Sequence, residues 1–159
     1  MIILGIDPGI ADTGYGVIKK DGDKYFLVAC GSLKTPPQHN LPTRLEKLHS
    51  LLSHIIKKYR PDVVGVEELF FAKNVKTALT VAHARGVILL TARANGCTVR
   101  EFTPLQVKQA LTGYGRADKN QIQQMVKTIL KLKAVPQGDD AADALAIAIC
   151  CGQTKEFIG

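Results

Sequence analysis

The stretch "IILGIDPGIADTGYGVIKKDGDKYFLVACGSL", residues 2–33, decides the fold. "IILGID" (2–7) is a short apolar run ending in an acid, the pattern of a buried central strand. "TGYGVIKK" and "KYFLVACGSL" are two further strand-like runs, and "DGD" at 21–23 between them is a hairpin turn. The spacing therefore predicts an antiparallel meander with Asp7 at the end of its first strand.

Beyond it, a polar loop "KTPPQHN" precedes Leu41, Leu45, Leu48, Leu52, Ile55 and Ile56, which recur at helical spacing and stop before Pro61. "DVVGVE" (62–67) repeats the strand-ending-in-acid pattern, with Glu67 in the place of Asp7. A helical segment runs from about Val75 to Ala94, closed by Asn95-Gly96. "CTVREF" (97–102) is a fifth strand, and Thr103-Pro104 starts a short helix through about Leu111. After the loop "TGYGRADK", Asp118 and Gln121 fit a capping box.

The order β-β-β-α-β-α-β followed by helices predicts an α/β fold with a mixed five-stranded sheet. Three strands are antiparallel, and helical crossovers add the others in parallel. No repeat or linker divides the chain, so residues 1–159 read as a single domain.

The last helix, in "VPQGDDAADALAIAICCG" (135–152), is apolar on every side except for its acids. Asp139 after Gly138 reads as an N-cap. Asp143 lies one turn in, among apolar neighbours, where a carboxylate must be paired, hydrogen-bonded or metal-bound. Asp140 and Asp143, spaced i,i+3, share a helix face. If strands 2–7 and 62–67 are parallel neighbours, Asp7 and Glu67 project from one sheet edge, where open α/β sheets place their sites. Laying the acidic turn against that edge gives Asp7, Glu67, Asp140 and Asp143 one pocket. Four carboxylates so close repel strongly unless protonated or bridged by cations, and all-oxygen donors suit Mg²⁺ or Mn²⁺. A pair of such ions supports phosphodiester cleavage.

The bulk properties are compatible with a polyanionic partner. The chain has 159 residues and 46% hydrophobic content, enough for a core, with a formal net charge of +7. No apolar run reaches the ~18 residues of a membrane span, and "MIILGID" lacks the charged start of a signal peptide. Cytoplasmic residence and no membrane partner are expected. Cysteines 30, 97, 150 and 151 and histidines 39, 49, 54 and 83 show no ligand spacing, and the cysteines read as reduced, buried thiols.

Basic and aromatic residues cluster around the expected pocket. "ELFFAKNVK" after Glu67 sets Phe70 and Phe71 beside Lys73, a composition that stacks on distorted bases. Lys108, Arg116, Lys119, Lys127, Lys131 and Lys133 follow. Lys119, Gln123, Lys127 and Lys131 recur every four residues as a basic, polar face suited to phosphates. The helix from 75 to 94 carries apolar residues on more than one face, which a core position explains without a partner.

Together "GIDPG...TGYGVI", "VEELFFAKN", "ARGV", "VKQALTGYGRADKNQIQQMV" and "DAADALAIAI" resemble the RuvC family of bacterial Holliday-junction resolvases, in order and over nearly the whole chain. The resemblance implies an RNase H-like fold and a homodimer that makes paired, symmetric, Mg²⁺-dependent nicks in four-way DNA junctions, leaving 5′-phosphate and 3′-hydroxyl ends. It implies two Mg²⁺ per subunit, Mn²⁺ substituting, on Asp7, Glu67, Asp140 and Asp143. It points to Phe70 as the residue inserted at the junction, with Phe71 packing, and to Lys108 and Lys119 as cations near DNA and catalysis. The helix from 75 to 94 becomes the dimer interface, and a branch-migration complex of RuvA and RuvB becomes a partner. One extra residue around Gly138-Asp139 leaves 139 and 140 competing as ligand, and the intact "DAAD" spacing favours 140.

Three other readings compete. "DPGIADTGYG" also resembles the phosphate loop of actin-like ATPases, but those need two such domains around a cleft. A nuclease of the same fold cutting RNA–DNA hybrids, and a junction-binding module that does not cut, differ from the resolvase in substrate and in chemistry.

Overall fold

The computed structural model describes residues 1–69 and 75–154. Its elements run β1 (Ile2–Asp7), β2 (Asp12–Asp21), β3 (Lys24–Lys34), α1 (Leu41–Tyr59), β4 (Val63–Glu67), α2 (Val75–Ala94), β5 (Thr98–Phe102), α3 (Pro104–Thr112), α4 (Lys119–Ile129) and α5 (Asp139–Gln153). The sheet order is β3-β2-β1-β4-β5. β1–β2 and β2–β3 are antiparallel, while β4 and β5 join in parallel. The expected mixed sheet is the one observed.

Strand alternation divides the core. Leu4, Ile6, Val17, Val64 and Val66 face one side and pack with Leu48 and Leu52 of α1 and Ala84 and Ile88 of α2. Ile3, Ile18 and Val63 face the other, against α3, α4 and α5. On that second face, Gly5, Gly14, Gly16 and Gly65 take the inward positions. A Cβ at Gly5 would overlap the Ala144 carbonyl, and one at Gly14 the Asp140 carbonyl. One at Gly16 would stand 2.8 Å from the Leu145 nitrogen. The missing side chains let α5 lie directly on the β1–β2 backbone, which explains why it is buried nearly all round.

Four local readings change. Asp139 is not the N-cap of α5: Gly138 is, at φ 88, with no side-chain cap bond, and Asp139 is the first helical residue. α4 ends at Ile129, so Lys131, at φ 53, falls beyond the helix and the basic stripe stops at Lys127. α2 is less a core helix than expected, with Val75 70%, Leu79 56% and Leu90 68% exposed. An 18-residue window of this 20-residue helix has a mean hydropathy of 1.2, so by length and composition alone it would pass for a membrane span although no unbroken apolar run marks it. In this fold α2 packs on the sheet through Ala84, Ile88 and Ala92, and Arg85 and Arg93 donate to the carbonyls of Glu67 and Cys97. Finally, all four cysteines are free, but Cys30 is only half-buried because β3 is an edge strand.

Candidate active site

Parallel pairing of Ile6 with Val66 puts the next residues, Asp7 and Glu67, at the same sheet edge. Strand parity settles their direction: Asp7 follows Ile3 and Gly5, and Glu67 follows Val63 and Gly65, on the α5 face. α5 begins at that edge, its Asp140 backbone seated over Gly14. Asp7, Glu67 and Asp143 line a cleft of about 250 Å³ with Lys108, Ala117, Asp118 and Lys119. Asp140 is beside this cleft, not in its wall, and its charge acts on both Asp7 and Asp143.

The cluster is electrostatically strained. Burial first, then the charges of Glu67, Asp143 and Asp140, push the Asp7 carboxyl up to about 8. Its hydrogen bond with Glu67 raises Asp7 and lowers Glu67. Glu67 is nonetheless raised, by burial and then by Asp143, with Lys108 opposing. Asp143 is raised by burial, against the pull of Lys119. Among the described residues no three such groups already stand close enough together to cage an ion. The cluster's donors are all carboxylate oxygens, and hard divalent cations are what such a set fits.

Asp139 stands apart. Its carboxylate pairs with the Lys119 ammonium at 2.9 Å and accepts from Gln123 Nε2 at 3.4 Å. The Lys119 bond holds Asp139 below the usual carboxylate range and raises Lys119. Both adjacent acids raise Asp143, Asp139 ahead of Asp140, but of the two only 140 acts on Asp7, while 139 pairs with Lys119 of α4.

The proposed DNA contacts divide. Lys108 and Lys119 are in the cleft wall. Arg116 is exposed on the α3–α4 loop, next to lining residue Ala117. Lys127 sits in the last turn of α4, two turns from Lys119 and outside the cleft wall. Phe70, Phe71 and Lys73 lie outside the described residues.

Sequence reasoning missed the residues that hold this arrangement. Arg85 Nε donates to the Glu67 carbonyl at 3.1 Å, and its guanidinium pairs with Glu101 of β5. The β1–β2 loop after Asp7 is tied by buried threonines: Thr13 Oγ1 donates to Gly9 at 2.5 Å, and the Thr35 hydroxyl donates to Ile10. Arg44 of α1 in turn donates to the Thr35 hydroxyl at 3.0 Å and carbonyl at 3.2 Å. No local motif announces bonds to backbone carbonyls so far away in the chain. The glycine seat did leave a signal, the i,i+2 pair in "TGYG", which puts both glycines on one strand face.

A β3-β2-β1-β4-β5 sheet with carboxylates at the ends of β1 and β4 and an acidic helix laid across them defines an α/β protein of the RNase H-like class. Comparison with known proteins narrows this. The family model "Crossover junction endodeoxyribonuclease RuvC" matches residues 3–151, and the chain belongs to the RuvC family. It is 56% identical to the crossover junction endodeoxyribonuclease RuvC of Desulforamulus reducens, over all of this chain and 98% of that one. It superimposes on the T. thermophilus RuvC in complex with Holliday junction substrate with a TM-score of 0.89 at 40% identity, covering 94% and 92% of the two chains. The yeast mitochondrial Holliday junction resolvase Ydc2 shares the fold, with a TM-score of 0.68 at 18% identity over 93% and 77%.

Proposed function

We propose that this protein is a structure-selective DNA endonuclease that resolves four-way junctions by paired, symmetric nicks, leaving 5′-phosphate and 3′-hydroxyl ends. The observation that carries this is the carboxylate cluster of Asp7, Glu67, Asp140 and Asp143 at one strand-end edge, in a RuvC-family chain similar throughout to a junction-bound relative. Asp7, Glu67, Asp140 and Asp143 would hold two Mg²⁺, with Mn²⁺ substituting. When bound, these ions would activate a water and neutralise charge on the leaving oxygen.

The chain's own residues provide the rest. Lys108 and Lys119 in the cleft wall suit a phosphate at the carboxylates, with Arg116 and Lys127 guiding the flanking backbone. Phe70 and Lys73 are assigned to the branch point on sequence alone. The exposed Val75, Leu79 and Leu90 favour α2 as the contact in a homodimer, which would supply one cluster for each of two opposed strands. RuvA and RuvB, acting in the cytoplasm, are the corresponding branch-migration partners.

The test is cleavage of a synthetic four-way junction with and without Mg²⁺, beside linear duplex and RNA–DNA hybrid, for wild type and Asp7→Asn. Symmetric nicks on the junction alone, lost in the variant, are expected. Binding without cutting in any divalent metal would reduce the protein to a junction-binding module. Preference for the hybrid would keep the chemistry and change the substrate.

A further inference from the structure

One exposed aromatic is held on a rigid mount at the rim of the cleft. α3 ends at Thr112, and Gly113 turns the chain in the left-handed region at φ 71. The Thr112 hydroxyl stands 2.7 Å from the Lys108 carbonyl and 2.8 Å from that of Tyr114, and accepts the Tyr114 N–H at 3.1 Å. The Tyr114 carbonyl also accepts the Ala117 N–H at 3.4 Å. Gly115 is pressed onto Leu105, whose Cδ1 occupies the space a Cβ would need. The backbone of this loop is thus fixed from both sides, yet Tyr114 and Leu105 each remain 54% exposed.

The mount is joined to the active-site wall. Lys108 and Ala117, the two residues bonded to it, both line the cleft with Asp7, Glu67 and Asp143. Arg116 and Lys119, two and five residues on, bring cations to the same loop and to the start of α4, so the exposed Tyr114 shares this segment with groups suited to a phosphate. An aromatic ring offers any base a face to stack on, and a pre-fixed ring loses little conformational freedom in doing so. A solvent loop has no need of an ordered backbone beneath two exposed apolar groups.

We propose that Tyr114, on a loop whose Gly115 is seated on Leu105, is a stacking platform for the nucleotide adjoining the cleaved phosphate, and that it sets the rate and sequence dependence of cleavage. This rests on the endonuclease reading above. The occupant is a base freed from its pair near the branch, since a base paired within a duplex keeps its faces stacked.

The experiment compares wild type, Tyr114→Ala and Tyr114→Phe on junctions varied at the nucleotides flanking the cut. Loss of one stacked base predicts about a tenfold slower single-turnover rate for the alanine variant. Its discrimination among the flanking sequences should also flatten, and phenylalanine should restore both. In parallel, 2-aminopurine placed beside the cut should be quenched on binding in an Asp7→Asn background. Adding Tyr114→Ala should abolish that quenching, and adding Tyr114→Phe should leave it in place. An alanine variant with wild-type rate, sequence preference and quenching would overturn the proposal. If wild type cuts no junction, the endonuclease reading fails, and quenching on bound junction still decides whether Tyr114 stacks.

Discussion

Arg85 of α2 reaches back to the end of β4 and donates to the backbone carbonyl of Glu67 at 3.1 Å. The same guanidinium pairs with Glu101 on β5, so one side chain, 18% exposed, joins the crossover helix to two neighbouring strand ends. It sits at the root of the segment that carries Glu68. α2 also carries the exposed Val75, Leu79 and Leu90, and Arg85 ties this helix to the backbone of a carboxylate of the site.

Arg85→Ala should therefore do two separable things. Losing charged hydrogen bonds from a half-buried position should cost about 2–3 kcal/mol in urea unfolding. Releasing the Glu67 backbone should lower cleavage at saturating junction by on the order of a hundredfold, because small misplacements of a reacting constellation are that costly. Arg85→Lys keeps a charge but loses the fork that serves two acceptors, and should fall between. Full activity in a destabilised alanine variant would show that the clamp holds the fold and not the site.

The Asp7 carboxyl gives a pH signature. Its folded-state value, about 8 against 3.8, is raised, chiefly by burial. For a raised group the associated stability is fully present below the unfolded value and is lost as pH rises through the folded one. Metal-free wild type should melt lower at pH 8.5 than at pH 6 by more than Asp7→Asn does, and the variant should be the more stable protein at the higher pH. Mg²⁺ should raise the wild-type melting temperature at pH 8.5, by linkage to the folded state, and raise that of the variant much less. Calorimetric scans in chelator and in Mg²⁺ read both effects, and an Asn variant with the wild-type pH dependence would contradict them.

The sheet was legible because each strand carries a local signal, an apolar run bounded by turn residues, and Asp7 and Glu67 end two such runs. Their convergence could be read from topology alone, since parallel neighbours end at one edge. What escaped depended on distances in space. The helical periodicity of α5 showed that it is buried, but not that Gly5, Gly14 and Gly16 are its seat. The carbonyl-seeking arginines, 44 and 85, carry no local signal of their distant acceptors. The cap reading of Asp139 failed because Gly138, at φ 88, takes the cap position, so Asp139 becomes the first helical residue and pairs with Lys119.

The glycine seat can be tested through the site it supports. Gly14→Ala places a methyl against the Asp140 carbonyl, a backbone atom that cannot swing aside. Overpacking of this kind costs ~1–3 kcal/mol, and relief requires α5 to lift away from β2. Because Asp140 and Asp143 ride on that helix, the thermal shift produced by Mg²⁺ should shrink together with the stability. Gly22→Ala is the control: it lies in the β2–β3 turn with open space around it, so only its positive φ is disturbed and the Mg²⁺ response should persist. Equal Mg²⁺ responses from both variants would separate the seat from the site.

The adjacent acids of α5 should behave as opposites despite their identical chemistry. Both act on Asp143, but of the two only Asp140 acts on Asp7, whereas Asp139 is exposed and faces Lys119 and Gln123. Asp140→Asn should abolish cleavage while junction binding survives. Asp139→Asn should leave the melting temperature almost unchanged, because exposed pairs contribute little. Its effect should appear in binding instead: with its counter-charge gone, Lys119 is free to meet a phosphate. Affinity for the junction should rise, and log K should fall more steeply with log salt. Binding titrations across a salt series, paired with single-turnover cleavage, separate the two acids. If Asp139→Asn were the inactive variant and Asp140→Asn the active one, the ligand assignment would pass to 139, and the pairing with Lys119 would then be a contact that opens on metal binding.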